Sequence, residues 1–573
     1  MQTSNTNLPS KRLWANLKKF NVWSKSTAQC NFDPHTMNTA FCSSANPGSN
    51  YPFDPIEQLI TTTSFQFSHV SETDVANCIL KIKSNAVGVD GMPIRFVKLI
   101  LPYILSPITH IINHCITTST FPQLWKMGSI TPVAKKANAA TPADFRPIAI
   151  LPCLSKVFEM SLAQQITKYI EDHSLLSPLQ SGFRPHRSCA TATMKILDDI
   201  RTPFDDASVT LLCSLDFSRA FDTVNHDLLC IKLGTYYGFC DSSVKLMRCY
   251  LENRKQRVKV GTEVSNFCHV LEGVPQGSIM GPLLFCLFVN DIFYVTKDVN
   301  LHAYADDIQV YISRRVGLLD DLCCRLNDDL SRILQWARCN GLSLNPLKCS
   351  VLPISRNPIN FGDIPPVFVG STQLKLQDKT KSLGFTLNSS LTAASHISQV
   401  TKSMYFVLRT LRRSAEFTPQ ETRRKLVLQL MVPLISYFAE VFCTLDAHSL
   451  NKLQMAVNCA TRYVFGLRRF DRLGHHRNKI LGCTVKCFLK YRSCVFLFKL
   501  IKSKSPEYLF DKLVFSQSSR TMNLIVPRCT YTASTRLFFT STARAWNSLP
   551  RSLKNNVSVD KFKIALHDFL FNL

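Results

Sequence analysis

The chain has 573 residues, of which 46% are hydrophobic and 10% aromatic, and its 19 glycines and 28 prolines show no triplet period. At about 150 residues per domain, this length predicts roughly three or four globular units and excludes a short peptide, a fibre and a globally disordered chain. The net charge is +27, and residues 401–573 hold 29 Lys and Arg against 9 Asp and Glu, so a polyanion is expected to bind the C-terminal third.

The 22 cysteines are scattered along the chain and often lie inside apolar runs, as at residues 211–213 and 285–287. This distribution is typical of reduced core thiols and predicts an intracellular protein. The N-terminus lacks the apolar segment of a signal peptide, and polar residues or prolines interrupt every window of about 18 residues. We therefore expect no membrane span.

The first predicted elements are a leader and two helices. Residues 1–60 are rich in Ser, Thr, Asn and Pro and are expected to be a linker or a weakly ordered leader. A helix is predicted to start at Ser71, because its spacing to Asp74 is that of a capping box. A second, amphipathic helix is expected over residues 154–170, where apolar residues recur every three or four positions.

The following segments predict a mixed region. Residues 209–215 form a short apolar run, which is expected to be a strand buried on both faces. A long helix is predicted over residues 319–337, with Gly341 as its stop signal. Strand runs alternating with helices over residues 80–390 predict an α+β or α/β fold, whereas the chain after residue 400 is predicted to be mostly helical with basic faces.

Three acids are candidates for metal binding. Asp306 and Asp307 fall in a predicted tight turn between two strand-like runs, where adjacent carboxylates repel each other unless a cation neutralises them. Such a pair alone is usually a solvated turn. Asp216 ends the predicted strand, and its alternative role is to cap the helix expected near Asn225. Together the three carboxylates could converge on two Mg²⁺ ions about 3.5–4 Å apart, as in-line nucleotidyl transfer requires.

A glycine-rich loop lies between these acidic segments. Residues 273–278 have the sequence GVPQGS, and an apolar helix-like run follows them. Glycines let a backbone approach a ligand closely, and the Gln276 amide can hydrogen-bond a base or a sugar edge. The alternative is an ordinary Gly/Pro turn, which the position between the two acidic segments makes less favoured.

Motifs A, B and C of reverse transcriptases resemble three ordered segments of this chain, DFSRAFD (216–222), GVPQGSIMGPLLF (273–285) and YADD (304–307). The resemblance is to non-LTR, LINE-type retrotransposons of the jockey kind, and it extends over residues 65–573. Further segments that match the same family are GVDG (88–91), DFRPI (144–148), QSGFR (180–184), GLSLN (341–345) with Lys348, KSLGF (381–385) and the C-terminal residues 543–570.

The resemblance implies an α+β right-hand polymerase with fingers, palm and thumb, and a mostly helical, basic C-terminal region. The implied activity is that of an RNA-directed DNA polymerase, which extends a DNA primer on an RNA template with deoxynucleoside triphosphates. Two Mg²⁺ ions are the implied cofactor, with Mn²⁺ as the alternative. The implied divisions are a leader (1–60), an N-terminal fingers extension (61–114), the reverse transcriptase domain (115–388), and the thumb with the basic C-terminal region (389–573).

The resemblance also implies roles for individual residues. Asp216, Asp306 and Asp307 would be the catalytic metal ligands, and Phe217 would add only its backbone carbonyl. Phe221 falls where the family places an aromatic residue that blocks a 2′-hydroxyl. The other residues implied to contact the nucleotide are Gln276, Arg146 with Lys135 or Lys136, which would meet the triphosphate, and Lys348, which would lie near the leaving pyrophosphate.

The chain departs from the family pattern in two places. Arg219 stands where the family most often has Lys, which keeps the charge. Elements of this kind usually carry an endonuclease before the polymerase, and residues 1–60 are too short to hold one. We therefore expect a fragment or a truncated copy, with a separate endonuclease as a partner. A zinc site is the less favoured interpretation of His475, His476, Cys483, Cys487 and Cys494, because their spacing fits no known knuckle.

Two other functions compete with reverse transcription. An RNA-dependent RNA polymerase shares the paired acids, but Phe221 and YADD argue against it. A decayed or domesticated copy would bind nucleic acid without catalysis, although folding alone does not demand the intact acids together with Gln276 and Arg146. The family implies action in the nucleus after synthesis in the cytoplasm. The basic C-terminal third is expected to grip nucleic acid. Removing it near residue 400 is expected to flatten the salt dependence of binding and to lower processivity, while the palm retains its metal site.

Overall fold

The computed structural model describes residues 30–43, 54–441, 444–516, 522–532 and 534–571. Predictions for residues 1–29 and 44–53 lie outside the described residues. The helices are α1 (Pro34–Cys42), α2 (Glu72–Lys81), α3 (Ile94–Leu99), α4 (Leu101–Thr118), α5 (Cys153–Asp172), α6 (Cys189–Asp205), α7 (His226–Tyr237), α8 (Asp241–Leu251), α9 (Met280–Phe288), α10 (Leu319–Cys339), α11 (Ala394–Arg412), α12 (Gln420–Leu430), α13 (Val432–Ser436), α14 (Ala447–Phe465), α15 (Gly474–Leu481), α16 (Val485–Ser503), α17 (Glu507–Phe510), α18 (Phe538–Asn547), α19 (Arg551–Lys554) and α20 (Val559–Phe571).

The strands belong to two larger sheets and three two-stranded pairs. The first large sheet has the order β2-β1-β5-β6, with β7 also paired to β5, and the second has the order β14-β11-β3-β9-β8. The strands are β1 (Met127–Ala134), β2 (Phe145–Ile150), β3 (Val209–Leu215), β4 (Phe217–Ser218), β5 (Arg254–Val260), β6 (Glu263–Val264), β7 (Cys268–Val270), β8 (Asn300–Tyr304), β9 (Asp307–Arg314), β10 (Ser343–Leu344), β11 (Ser350–Ile354), β12 (Phe368–Val369), β13 (Thr372–Gln373), β14 (Lys375–Leu376), β15 (Lys379–Ser382) and β16 (Phe385–Asn388).

Local sequence signals set the ends of the predicted helices. The Ser71 hydroxyl accepts a hydrogen bond from the Asp74 N–H, and the Asp74 carboxylate accepts one from the Ser71 N–H, each at 3.1 Å, which confirms the capping box of α2. The predicted helix over residues 154–170 is α5, and the one over residues 319–337 is α10. Gly341 follows the latter with φ +69°, which a glycine adopts without a steric penalty.

The second large sheet, β14-β11-β3-β9-β8, is called the palm sheet. It buries both of its faces, as the continuous apolar run at residues 209–215 predicts. Successive side chains of a strand point to opposite faces, so Leu211 and Cys213 of β3 join one apolar core while Leu212 joins another. The first core packs against α5, α7, α9 and α10. The second core contains α6 and the helices that follow residue 393.

The second core makes the C-terminal region part of the palm. Leu212 of β3, Tyr311 of β9 and Leu352 of β11 share it with Trp546 and Phe562, all nearly fully buried. Removing the chain after residue 400 would therefore expose an apolar sheet face to water. That a truncation near residue 400 leaves the palm with its metal site stays a prediction, and this shared burial is a physical argument against it.

The segment expected to be a weakly ordered leader contains α1. Asp33 caps this helix, and Met37 is fully buried against the first large sheet, β2-β1-β5-β6, which is called the fingers sheet. The Asn38 amide donates a hydrogen bond to the Asn266 carbonyl at 2.9 Å. Where the structure describes residues 30–43, the chain is thus an ordered part of the fingers. Composition alone could not predict this helix, because its stability comes from a sheet more than 85 residues later in the chain.

Within the described part of the chain, no helix is both long enough and apolar enough to cross a bilayer. The cysteines of that part are free thiols.

Candidate active site

The two adjacent acids lie at the tip of the β8–β9 hairpin, as predicted. Tyr304 pairs with Asp307 in the antiparallel ladder, and Ala305 takes a left-handed conformation with φ +59° to close the turn. Asp306 and Asp307 therefore leave the same end of the palm sheet. The strand-like runs on both sides of the acids were sufficient to predict this hairpin.

Asp216 lies beside the hairpin because of strand register. The last residue of β3, Leu215, pairs with Ile308, so Asp216 and Asp307 follow as neighbours on adjacent strands. Partial burial raises the pKa of Asp307 to about 6, and the charges of Asp306 and Asp216 act in the same direction. Burial also raises the pKa of Asp306, with Asp216 contributing. The three carboxylates thus repel one another at this edge.

Two cations offset this repulsion. The Lys348 ammonium lies 2.9 Å from an Asp216 carboxylate oxygen, and Arg146 acts on both Asp306 and Asp307 to favour their charged forms. The interpretation of Asp216 as a helix cap is not supported, since Asn225 caps α7 by accepting from the Leu228 N–H at 2.9 Å. Asp216 is free of that structural task.

The donor set at the hairpin fits a divalent cation. Three carboxylates supply the hard oxygen ligands that Mg²⁺ and Mn²⁺ prefer, and a cation would relieve their mutual repulsion. Lys348 now interacts with an oxygen that a metal ion would use. The described residues contain no ready-made group of three His, Cys, Asp or Glu with metal-binding geometry, so Asp216 would have to exchange its lysine for the ion.

Phe217 lies at the start of a short backbone ladder. It pairs with Leu344 of the GLSLN segment, and the Asn345 N–H donates to the Asp216 carbonyl at 2.8 Å. The Phe217 ring is buried beside Trp336, with ring centroids 6.3 Å apart. The side chain is thus occupied by the core, and only the backbone of Phe217 is available to a ligand.

The glycine-rich loop crosses over the fingers sheet. Gly277 has φ +117°, and a Cβ there would approach the Ala149 carbonyl oxygen to 2.6 Å. The Gln276 carbonyl accepts from the Ala149 N–H at 2.7 Å, and the Gln276 amide donates to Asp222 at 2.8 Å. The side chain of Gln276 is therefore already oriented by a carboxylate, and this contact could not be predicted from the sequence.

The predicted triphosphate residues lie on the β1–β2 hairpin of the fingers. Arg146 of β2 pairs with Val133 of β1, and Lys135 directly follows the last residue of β1. Burial lowers the pKa of Lys135, and the nearby charges of Lys348 and Arg146 lower it further. Lys136 instead pairs with Asp144 at 2.8 Å. Of the two predicted lysines, Lys135 is the one that shares the electropositive region with Arg146.

Phe221 stacks on Phe285 of α9. The ring centroids are 4.4 Å apart with an interplanar angle of 24°, and the Phe221 carbonyl accepts from the Val274 N–H at 2.8 Å. The ring is half-buried, so one part of it contacts the helix and the rest is accessible to solvent. Its position next to the Gln276 loop is fixed from two sides.

Two residues that support the site had no predicted role. Gln180, in the QSGFR segment, accepts hydrogen bonds from the Ala305 and Gly182 N–H groups at 2.9 and 2.8 Å. Glu159 is fully buried in α5 and accepts from the Ile279 N–H at 2.6 Å, next to the start of α9. An acid on the apolar face of a predicted helix was the available signal for Glu159.

A cleft of about 530 Å³ opens beside the acids. It lies between the palm sheet and the segment after β14, where Lys381–Gly384 forms one wall and Tyr437 another. Asp216, Asp307 and Lys348 line its floor. An extended polymer end could reach the carboxylates through this cleft.

The cysteines considered for zinc have other contacts. The Cys483 thiol donates to the Thr484 carbonyl at 3.0 Å, and the Cys487 thiol donates to the Leu570 carbonyl at 3.3 Å. Cys494 is fully buried in the second core. The side chain of His475 lies outside the described residues.

Comparison with known proteins identifies the class of this fold. Residues 133–387 match the family model for reverse transcriptase (RNA-dependent DNA polymerase), and this range contains every site residue predicted above. These residues therefore form a reverse transcriptase domain, with the α+β right-hand fold that the class implies.

The similar curated proteins come from non-LTR retrotransposons. The probable RNA-directed DNA polymerase from transposon X-element of Drosophila melanogaster is 27% identical over 70% of this chain and 44% of its own length. The RNA-directed DNA polymerase from mobile element jockey of the same species is 26% identical over the same shares. The chain thus spans less than half of these relatives. Apo telomerase from Candida tropicalis, truncated from its C-terminal domain, gives a TM-score of 0.32 at 12% identity, covering 47% of this chain and 54% of that one.

The close contact between the QSGFR segment and the β8–β9 hairpin predicts that Gly182→Ala destabilises the protein. A Cβ at residue 182 would come within 2.4 Å of the Ala305 nitrogen, which is backbone and cannot rotate away. We expect the free energy of unfolding to fall by about 1–3 kcal/mol through overpacking. The matched control is Gly317→Ala, where a Cβ would meet nothing within 4 Å. Equal urea midpoints for the two variants would contradict this packing.

Proposed function

We propose that the chain is an RNA-directed DNA polymerase, which extends a DNA primer on an RNA template with deoxynucleoside triphosphates and two Mg²⁺ ions. The observation that carries this proposal is the convergence of Asp216, Asp306 and Asp307 at one sheet edge, with Lys348 and Arg146 opposite them. Mg²⁺ would supply charge neutralisation for the attacking and leaving oxygens.

The residues around the acids divide the remaining tasks. Arg146 and Lys135 would hold the triphosphate through guanidinium and ammonium groups on the fingers hairpin. Lys348 would give up its contact with Asp216 and offer a proton to the leaving pyrophosphate. Gln276, oriented by Asp222, would contact the nucleotide from the glycine-rich loop, and Phe221 would exclude a 2′-hydroxyl.

The competing proposal is a nucleic-acid-binding remnant without catalysis. In a protein without catalysis, nothing would select for keeping these acids together, because their repulsion destabilises the fold. Burial first, and then the neighbouring carboxylates, raise the pKa values of Asp306 and Asp307, so keeping their charges at this edge is costly. An active polymerase explains the cost, and we therefore favour it. We also propose that the protein acts in the nucleus after synthesis in the cytoplasm. Its many buried, free thiols are compatible with these reducing compartments.

Exposed cations and aromatic rings on α11 support a nucleic-acid grip by the thumb. Lys402, Arg409 and Arg412 are exposed along this helix, and the Phe406 ring beside them is 70% exposed. Phosphate contacts by cations and stacking on exposed rings are the usual means of holding a nucleic acid without reading its sequence.

The metal-ligand assignment predicts the effect of Asp306→Asn and Asp216→Asn. Each variant should abolish primer extension on an RNA template while RNA binding stays within about twofold, because only a ligand charge is lost. Asp328→Asn, at an exposed position of α10, is the matched control and should extend normally. Near-normal extension by either site variant would refute the assignment.

The position of Phe221 predicts a change in sugar selectivity. Phe221→Val should raise incorporation of ribonucleotides relative to deoxyribonucleotides by about tenfold or more, since a removed steric block is worth at least ~1.4 kcal/mol between competing substrates. Single-nucleotide extension with each sugar measures the ratio. Phe361→Val, in a loop outside the active site, controls for loss of a partly exposed ring. An unchanged ratio would remove Phe221 from the nucleotide site.

The thumb assignment predicts a change in salt dependence. Lys402→Gln combined with Arg409→Gln should reduce the slope of log affinity against log salt by about 0.9 per lost contact to a duplex. The charge-matched control is Lys81→Gln with Lys83→Gln, two exposed positions on the N-terminal side of the fingers. Equal slopes for the two double variants would mean that the thumb cations are only solvated.

A further inference from the structure

A tyrosine from the C-terminal region packs against β8 of the β8–β9 hairpin. Tyr508, in α17, is almost fully buried, and its hydroxyl lies 2.9 Å from the Ser181 hydroxyl and 3.2 Å from that of Thr191. Its ring meets the His302 ring edge to face at 5.5 Å. His302 belongs to β8, two residues before Tyr304.

The residues that Tyr508 contacts are those that hold β8. The Ser181 N–H donates to the Ala303 carbonyl at 2.8 Å, and the Ser181 hydroxyl lies 3.1 Å from the His302 Nε2. The neighbouring Gln180 accepts from the Ala305 N–H at the turn itself. Hydrogen bonds of Ser181 and of its chain neighbour Gln180 therefore link Tyr508 to β8 and to the residue before Asp306.

A lysine from the same C-terminal segment is linked to β9 through α6. The Lys512 ammonium lies 2.5 Å from Asp198 and 2.9 Å from Asp199, both on α6. Asp199 in turn accepts a hydrogen bond from the Tyr311 hydroxyl of β9. The interactions raise the pKa of Lys512, so the lysine stays charged. The C-terminal region is thus connected to both strands of the hairpin, through Tyr508 on one side and Lys512 on the other.

We infer that Tyr508 and Lys512 form a rear clamp, whose task is to position the β8–β9 hairpin and its acids. Apolar packing alone would cover the sheet without fixing one register, whereas directional hydrogen bonds and a partly buried ion pair define a single arrangement. Tyr508 and Lys512 do not touch the reacting atoms, so they are positioning residues. The consequence for catalysis rests on the proposed polymerase function, but the consequence for hairpin mobility does not.

Hydrogen exchange on the full chain tests the clamp directly. Tyr508→Phe removes one hydroxyl and keeps the ring, while Lys512→Met removes the cation that Asp198 and Asp199 share and leaves them only Arg201 and Lys195 as partners. We expect amide exchange in a peptide covering residues 300–312 to accelerate by about fivefold or more in each, the factor that corresponds to one lost buried hydrogen bond. Lys512→Arg retains the charge and should restore protection.

A destabilised control separates positioning from general stability. Leu566→Ala removes a fully buried side chain of α20 in the same core, far along the chain from the hairpin. It should lower the unfolding midpoint at least as much as Tyr508→Phe while leaving exchange in residues 300–312 unchanged under native conditions. If Leu566→Ala accelerates that peptide equally, or if neither clamp variant does so, the clamp is refuted.

Primer extension supplies the second readout. In the clamp variants we expect kcat to fall about fivefold with an unchanged KM for the nucleotide and an unchanged affinity for RNA, because only the acids are displaced. Equal kcat values in wild type and both variants would refute the catalytic role of the clamp. Absence of extension by the wild type would refute the proposed function instead, and the exchange experiment would still decide whether the clamp exists.

Discussion

Repulsion among three carboxylates is the constraint around which the palm is organised. Asp216, Asp306 and Asp307 meet only because β3 and β9 are paired in a register that brings their ends together. Burial raises the pKa of Asp307 to about 6, which measures how unfavourable its charge is at this edge. A flexible sheet would separate the acids, so the strands that carry them must be held from behind. The cations Lys348 and Arg146 offset part of the repulsion in front.

The sheet is held because both of its faces are buried. One face packs on the helices of the palm, and the other packs on α6 and on helices from the last third of the chain. Residues more than 300 positions apart, such as Ser181 and Tyr508, are therefore direct neighbours. The glycine-rich loop is held in a comparable way by Glu159, which accepts hydrogen bonds from N–H groups at the start of α9. Buried polar contacts therefore support both the β8–β9 hairpin and the glycine-rich loop.

Local patterns predicted those features of the site that depend on neighbouring residues in the chain. The strand-like runs on both sides of YADD predicted the hairpin, and the apolar run that ends next to Asp216 predicted the strand β3. Contacts between distant segments were not predictable in the same way. Nothing near Gln276 in the sequence indicates Asp222 as its partner, and nothing in the Ser-rich and Asn-rich leader indicates that Met37 is buried against the fingers. Such residues are ordered by surfaces that exist only after folding.

The basic C-terminal third illustrates how one segment can combine two functions, packing against the palm and the proposed binding of nucleic acid. Its net charge of +20 predicted a surface for nucleic acid, and exposed cations on α11 agree with that prediction. The same region buries Trp546, Phe562 and Leu566 against the palm, which charge counting cannot reveal. Because a cation on a helix surface leaves the opposite face free to be apolar, the two functions do not compete for residues. A region that grips a nucleic acid while packing behind the catalytic strands can couple the position of the polymer to the position of the acids.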